Sequence, residues 1–201
     1  MLDLIVLATR NEGKARELSA LLEGIALRVE SLAAHTEVSL PPEAGSTYRE
    51  NALAKARAVS RALGVPALGD DSGLEVGALG GAPGLRSARY AGADVSAGHA
   101  TDAANIERLL LDLAEVPPQS RTARFRCVLA LVRGPSDEVV VEGSCEGRIL
   151  DVAHGERGFG YDPVFLPDGH ALSFAELPIA IKNTISHRAR AAQALRAALG
   201  R

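Results

Sequence analysis

The 201-residue chain has no tryptophan, and its aromatics are limited to four Phe and three Tyr. Its core must therefore be built from Leu, Val, Ile and Ala. Cysteine is nearly absent as well. Cys127 and Cys145 are too few for a disulfide framework, and both fall in segments of alternating apolar residues, which suits buried free thiols. Residues Met1 to Ala8 lack a basic stretch followed by a long apolar run and a cleavage site. No segment reaches the length of a membrane span. Nor is there an excess of positive charge. The formal net charge is −3, so bulk electrostatics would not draw the protein onto nucleic acid or an acidic membrane. None of the five histidines shows His-x-x-x-His spacing, which argues against zinc. Gly-x-Ser-x-Gly is also missing. The expectation is a cytoplasmic protein of one domain over residues 1–201, with no nucleic-acid or membrane partner.

What remains is a well-patterned α/β chain. Leu2 to Ala8 is a short apolar run suited to a strand buried on both faces. A helix follows, with Leu18, Leu21, Leu22 and Ile25 at helical spacing and Gly24 at its end. Thr47-Tyr48-Arg49-Glu50 has the form of a capping box and opens a second helix that runs to Gly64. Ile106, Leu109, Leu110 and Leu113 mark a third, stopped by Pro117-Pro118. Ala123, Phe125, Cys127, Leu129 and Leu131 then alternate with polar residues as one strand of a hairpin. Its turn is Gly134 to Asp137, and Val139-Val140-Val141 begins the return. A last helix starts near Ser186 and ends at Gly200. Strand–helix alternation followed by a hairpin predicts a mixed sheet rather than a purely parallel one.

Four polar clusters carry the candidate chemistry. Thr9-Arg10-Asn11-Glu12-Gly13-Lys14 lies between a buried strand and a helix start, where unsatisfied N–H groups and the helix dipole favour an anion. A triphosphate fits that corner, although the P-loop pattern is absent. The plainer reading is a capped helix with a solvated lysine. Asp70-Asp71-Ser72-Gly73 follows an apolar segment, and adjacent carboxylates are costly unless a cation or proton-transfer chemistry uses them. They could share magnesium with Glu43, a residue of a distant loop that spacing does not bring in; by composition alone the motif reads more simply as a turn. Asn51 and Lys55, four apart on the second helix, share a face that either reaches phosphates or faces solvent. Gly158-Phe159-Gly160-Tyr161-Asp162-Pro163 permits a tight backbone path around Phe159, and its rings either stack on a nucleobase or pack in the core, as aromatics usually do. Ser186-His187-Arg188 begins the final helix, with Lys182 just before it; His and Arg are disfavoured by the dipole there, which suggests a ligand-directed role, the plainer reading being a solvated basic patch.

Taken in order, these segments resemble the non-canonical purine NTP pyrophosphatase family. The resemblance extends through Leu79 to Gly84 and Ser87 to Tyr90 and covers nearly the whole chain. It implies an α/β fold with a long central mixed β-sheet, flanking helices and two lobes with the active-site cleft between them. It also implies a homodimer, Mg2+, and cleavage of ITP, dITP or XTP to a nucleoside monophosphate and pyrophosphate. By position, Asp71 corresponds to the general base and a metal ligand, and Glu43 to a second metal ligand. Thr9, Arg10, Asn11, Glu12, Gly13 and Lys14 match the phosphate-binding segment, Lys55 falls in a further matching segment, and Ser72 matches a substrate contact. Phe159, Gly160, Tyr161, Asp162, Lys182, His187 and Arg188 match the nucleotide and base contacts. Arg10 and Pro178 to Ile181 depart from the family pattern. Two alternatives stay open: a related pyrophosphatase that prefers modified pyrimidine or other NTPs, as in the structurally similar septum-inhibitor family, and a non-catalytic purine-nucleotide sensor.

Overall fold

A computed structural model describes residues 1–92 and 101–200. Six strands form one sheet flanked by helices, an α/β architecture. In chain order the elements are β1 (Leu2–Leu7), α1 (Glu12–Leu21), β2 (Ala26–Ser31), α2 (Tyr48–Leu63), β3 (Ala67–Val76), α3 (Asp102–Asp112), β4 (Thr122–Gly134), β5 (Asp137–Ile149), β6 (Phe165–Pro167), α4 (Ile179–Ile185) and α5 (His187–Ala198). The strand order is β2-β1-β3-β4-β5-β6. The sheet is mixed: β1 pairs in parallel with β2 and β3, while β5 and β6 are antiparallel.

By its internal contacts the chain divides into two compact units. The first comprises residues 1–72, 127–143 and 187–201, and the second residues 73–126 and 144–186. The core of the first is aliphatic, as the scarcity of rings requires. Ile5, Leu7, Leu18, Leu22, Leu68, Leu129 and Leu195 are buried together in one cluster, with Val6, Leu32, Val59 and Ala67 in another. The second unit gathers three of the four Phe residues, Phe125, Phe165 and Phe174, around Leu74, Leu109 and Val164. Cys127 and Cys145 are buried free thiols.

Local signals account for most element ends. Thr47 caps α2, its Oγ1 accepting from the Glu50 N–H at 3.1 Å. The Glu50 carboxylate reaches back to the Thr47 backbone, as the capping box requires, and also accepts from the Ser46 N–H at 2.7 Å. Gly64 ends α2 in the left-handed conformation. Helix α1 stops at Leu21, so Ile25 is buried beyond the helix and not on its face. Strand β2 and helix α4 had no clear sequence signature. The largest departure from composition is at Asp70-Asp71-Ser72-Gly73. These residues form no turn; they lie inside the ten-residue strand β3.

Candidate active site

Alternation along β3 sorts its side chains onto two faces. Leu68, Asp70 and Ser72 face α1 and α5, whereas Ala67, Gly69 and Asp71 face α2. Gly69 makes the second face possible. A Cβ there would overlap the carbonyl oxygen of Ala52, so only glycine lets α2 lie this close to the strand. That approach brings Asn51 and Lys55 onto Asp71. Asn51 Nδ2 donates to Asp71 Oδ2 at 3.0 Å, and the Lys55 ammonium stands 3.0 Å from Asp71 Oδ1. Both α2 side chains are buried, which removes the solvent-facing reading. Glu43 completes the group, its Oε1 lying 2.7 Å from Lys55 Nζ. The Asn51 side chain also accepts from the Gly45 N–H at 2.8 Å and so ties the Glu43 loop to the helix.

On the other face Asp70 is fully enclosed. Lys14 Nζ is 3.0 Å from its Oδ2 and Arg188 Nε 3.4 Å, while the Cys127 thiol donates to Oδ1 at 3.3 Å. Arg188 also donates from Nη2 to Ser72 Oγ at 2.7 Å and from Nη1 to Glu17 Oε2 at 3.0 Å. Helix α5 reaches this position because Gly143 on β5 leaves room for the backbone at His187 and Ala191. Buried Asp70, Glu17 and Arg188 and the half-buried Lys14 thus form a neutral set, which is what makes the removal of the first three from water tolerable.

The two aspartates are pushed in opposite directions. Burial raises the Asp70 carboxyl, but Lys14, Arg188 and Lys55 outweigh it and hold the group well below the usual carboxylate range. Burial also raises Asp71. There the negative charge of Glu43 adds to it, and Lys55, Lys14 and the Asn51 hydrogen bond do not fully offset the two, so Asp71 stays above the ordinary value. Lys55 loses charge stability by burial and regains more from Asp71 and Glu43.

The phosphate-binding candidates are placed individually. Asn11 is the N-cap of α1, accepting from the Lys14 N–H at 2.9 Å, and Thr9 Oγ1 accepts from the Asn11 N–H at 3.1 Å. The helix is therefore capped, but its lysine is paired with Asp70 and not solvated. Glu12 is exposed and Gly13 half-buried at the start of α1. Arg10 turns to the segment after β2, donating to the carbonyl of Val38 at 2.8 Å. His187 is buried as the first residue of α5.

In the second unit, Phe159, Gly160, Tyr161 and Asp162 form a compact turn. Asp162 accepts from the Phe159 N–H at 2.9 Å and pairs with the Lys182 ammonium, which lies 5.5 Å from the Phe159 ring centre. Gly158 has φ +79° and no room for a Cβ over the Asp162 carboxylate. Gly160 N–H donates to Asp102 at 2.7 Å. Tyr161 is buried and donates to the Ser87 carbonyl at 2.8 Å, so it packs in the core; Phe159 is half-buried. Pro178 precedes α4, which carries Lys182.

Sequence reasoning overlooked Glu17, the buried partner of Arg188. Its signal was the Lys14-x-x-Glu17 spacing, which sets both residues on one face of α1. Among the described residues, no three His, Cys, Asp or Glu side chains gather as a ready metal cage.

A family model described as the Ham1 family matches residues 5–198. The dITP/XTP pyrophosphatase of Geobacillus kaustophilus is 49% identical over 187 residues, covering 93% of this chain and 89% of that protein. The dITP/XTP pyrophosphatase of Photobacterium profundum is 47% identical over 197 residues and 97% of each chain. Among solved structures, a HAM1 protein from Coxiella burnetii superposes with a TM-score of 0.85 at 39% identity, covering 100% of this chain and 99% of that one.

Proposed function

Because the chain belongs to the Ham1 family, we propose that it hydrolyses the purine triphosphates ITP, dITP and XTP between the α- and β-phosphates, releasing a nucleoside monophosphate and pyrophosphate. The names of its pyrophosphatase relatives support the substrate class. The observation that carries the chemistry is Asp71, a buried carboxylate held above its ordinary range beside Lys55 and Glu43. A base in that state is better matched to neutral pH than an ordinary aspartate.

Asp71 accepts the proton of a water that attacks the α-phosphorus. Lys14 and Lys55 offset charge on the phosphates. Asp71 and Glu43 would hold magnesium, and the donor set fits. Both are hard carboxylate oxygens already drawn to one cationic centre, and magnesium takes one or two carboxylates while keeping waters and phosphate oxygens as its other ligands. When bound, that ion supplies charge neutralisation to the departing pyrophosphate. Phe159 offers a ring face to the purine, and Lys182 beside it and backbone N–H groups supply donors for a keto oxygen at C6. Adenine presents an amino group there and would leave such donors unpaired, a mismatch that costs orders of magnitude in rate. The working form in this proposal is a cytoplasmic homodimer.

The test is product analysis on ITP, dITP, XTP and the four ordinary NTPs, with and without magnesium. The expected result is monophosphate plus pyrophosphate, magnesium-dependent and strongest for the first three. Release of single orthophosphates, or turnover that ignores the base, would overturn the assignment.

A further inference from the structure

Lys55 is shared by two carboxylates from separate parts of the chain, Asp71 on β3 and Glu43 in the segment before α2. Its side chain is only 7% exposed. A lysine that merely awaited phosphate would keep a hydrated ammonium on its flexible stem; this one has left water for two acids. The need for it is electrostatic, because Glu43 and Asp71 repel and each raises the cost of the other's charge. The connection is also mechanical. The segment around Glu43 contains Pro41 and Pro42, which cannot donate backbone hydrogen bonds. It is fastened to α2 at Gly45 and Ser46, and through Lys55 to β3.

From this geometry we infer that Lys55 is the resident counter-ion of the Glu43–Asp71 pair, holding the two carboxylates together and yielding them when a divalent cation arrives. The inference rests on the magnesium assignment above. An ammonium and a divalent cation cannot both occupy the space between the same two oxygens, so Lys55 competes with the ion for them. Two carboxylates and one ammonium carry one net negative charge, which repels a triphosphate. The same three side chains with a divalent cation carry one net positive charge, which attracts it. Lys55, freed on its four-carbon stem, then adds its charge to the phosphates. Nucleotide affinity is therefore gated by the cation through the sign of this cluster, and the cation-free protein keeps the cluster assembled at no risk of binding nucleotide unproductively.

The experiment titrates Mn2+ alone, without nucleotide, into full-length wild type, Lys55→Gln and Glu43→Gln, with free and bound ion measured by electron paramagnetic resonance. Removing the competitor should tighten Mn2+ binding to Lys55→Gln by about tenfold. The melting temperature of that variant in EDTA should fall below that of wild type and recover with Mn2+. Unchanged or weaker binding by Lys55→Gln, with binding still weakened by Glu43→Gln, overturns the counter-ion role and leaves the magnesium assignment standing. Equal Mn2+ binding by all three proteins overturns the magnesium assignment itself and this inference with it. Should Lys55→Gln fail to fold, the wild type suffices. The Nζ–H resonance of Lys55 observed in EDTA should shift or vanish when Mg2+ is added, and a resonance that ignores Mg2+ overturns the proposal.

Discussion

On the face of β3 turned to α1 and α5, Asp70 meets Lys14, Arg188 and Cys127, whereas on the face turned to α2, Asp71 meets Asn51 and Lys55. The two residues are chemically identical and adjacent, yet their surroundings divide the work. Asp70 is outnumbered by cations and is locked in its charged form. Its role is to hold the half-buried Lys14 and the buried Arg188 in fixed positions. Asp71 shares a single ammonium with Glu43 and is held closer to protonation. A group so placed can take a proton and return it. Side-chain alternation thus lets one strand present a structural acid and a reactive acid side by side.

The same substitution at both positions should separate these roles most sharply. Asp71→Asn should lower kcat by about 10²–10⁴, the range expected for a lost general base. Its unfolding free energy in EDTA should stay within about 1 kcal/mol of wild type, since a neutral side chain already suits that face. Asp70→Asn should instead cost about 3–5 kcal/mol in urea unfolding, because the half-buried Lys14 and the buried Arg188 lose the carboxylate they share and Arg188 keeps only Glu17 and Ser72. A large stability loss at 71 with little at 70 would invert the comparison, and near-normal turnover by Asp71→Asn would remove Asp71 from the base role.

Gly69→Ala tests how the reactive face is assembled. The added methyl meets the Ala52 carbonyl, so α2 must move away from β3 and carry Asn51 and Lys55 off Asp71. A destabilisation of about 1–3 kcal/mol is expected for such overpacking, with a loss of turnover. The Cys127 thiol should remain protected from alkylation, since it lies on the opposite face. If Gly69→Ala exposed Cys127, the two faces would not be independent.

Much of this was legible in the chain itself. The Leu2–Ala8 run, the Thr47 cap, Gly64 and the hairpin around Gly134 to Asp137 are local signals, each decided by residues within a few positions of one another. Strand β2 was not legible because Leu27 is exposed and its pattern is set by parallel pairing with β1. Helix α4 was hidden because Pro178-Ile179-Ala180-Ile181 leaves apolar residues in solvent, with Ile179 and Ile181 both exposed. Asp70-Asp71-Ser72-Gly73 reads as a turn by composition. Only cations from α1, α2 and α5, remote in sequence from one another, make two charges tolerable inside a strand. The motif in Thr9 to Lys14 was visible, but the pairing of Lys14 with Asp70 could not be derived from spacing. For the same reason Arg188 could be recognised as important without its partners Glu17 and Ser72.

The smallest effect should appear in the pH dependence of stability, and its sign differs between the faces. Asp70 in the folded protein titrates below its ordinary value of 3.8, so around and below that pH the unfolded chain binds more protons than the native state. Its contribution is complete above the ordinary value and is lost as pH falls. Asp71 titrates above 3.8 when folded, so the native state holds the extra proton. Its contribution is greatest in acid and declines as pH rises through the raised value. In EDTA the two slopes partly cancel in the wild type. Urea unfolding from about pH 3 to about pH 7 should therefore show a steeper acid loss for Asp71→Asn than for wild type. Asp70→Asn, which keeps only the opposing term, should lose less stability on acidification than either. Parallel curves for all three proteins would mean that the two carboxylates do not titrate differently, and the contrast between the faces of β3 would have no energetic content.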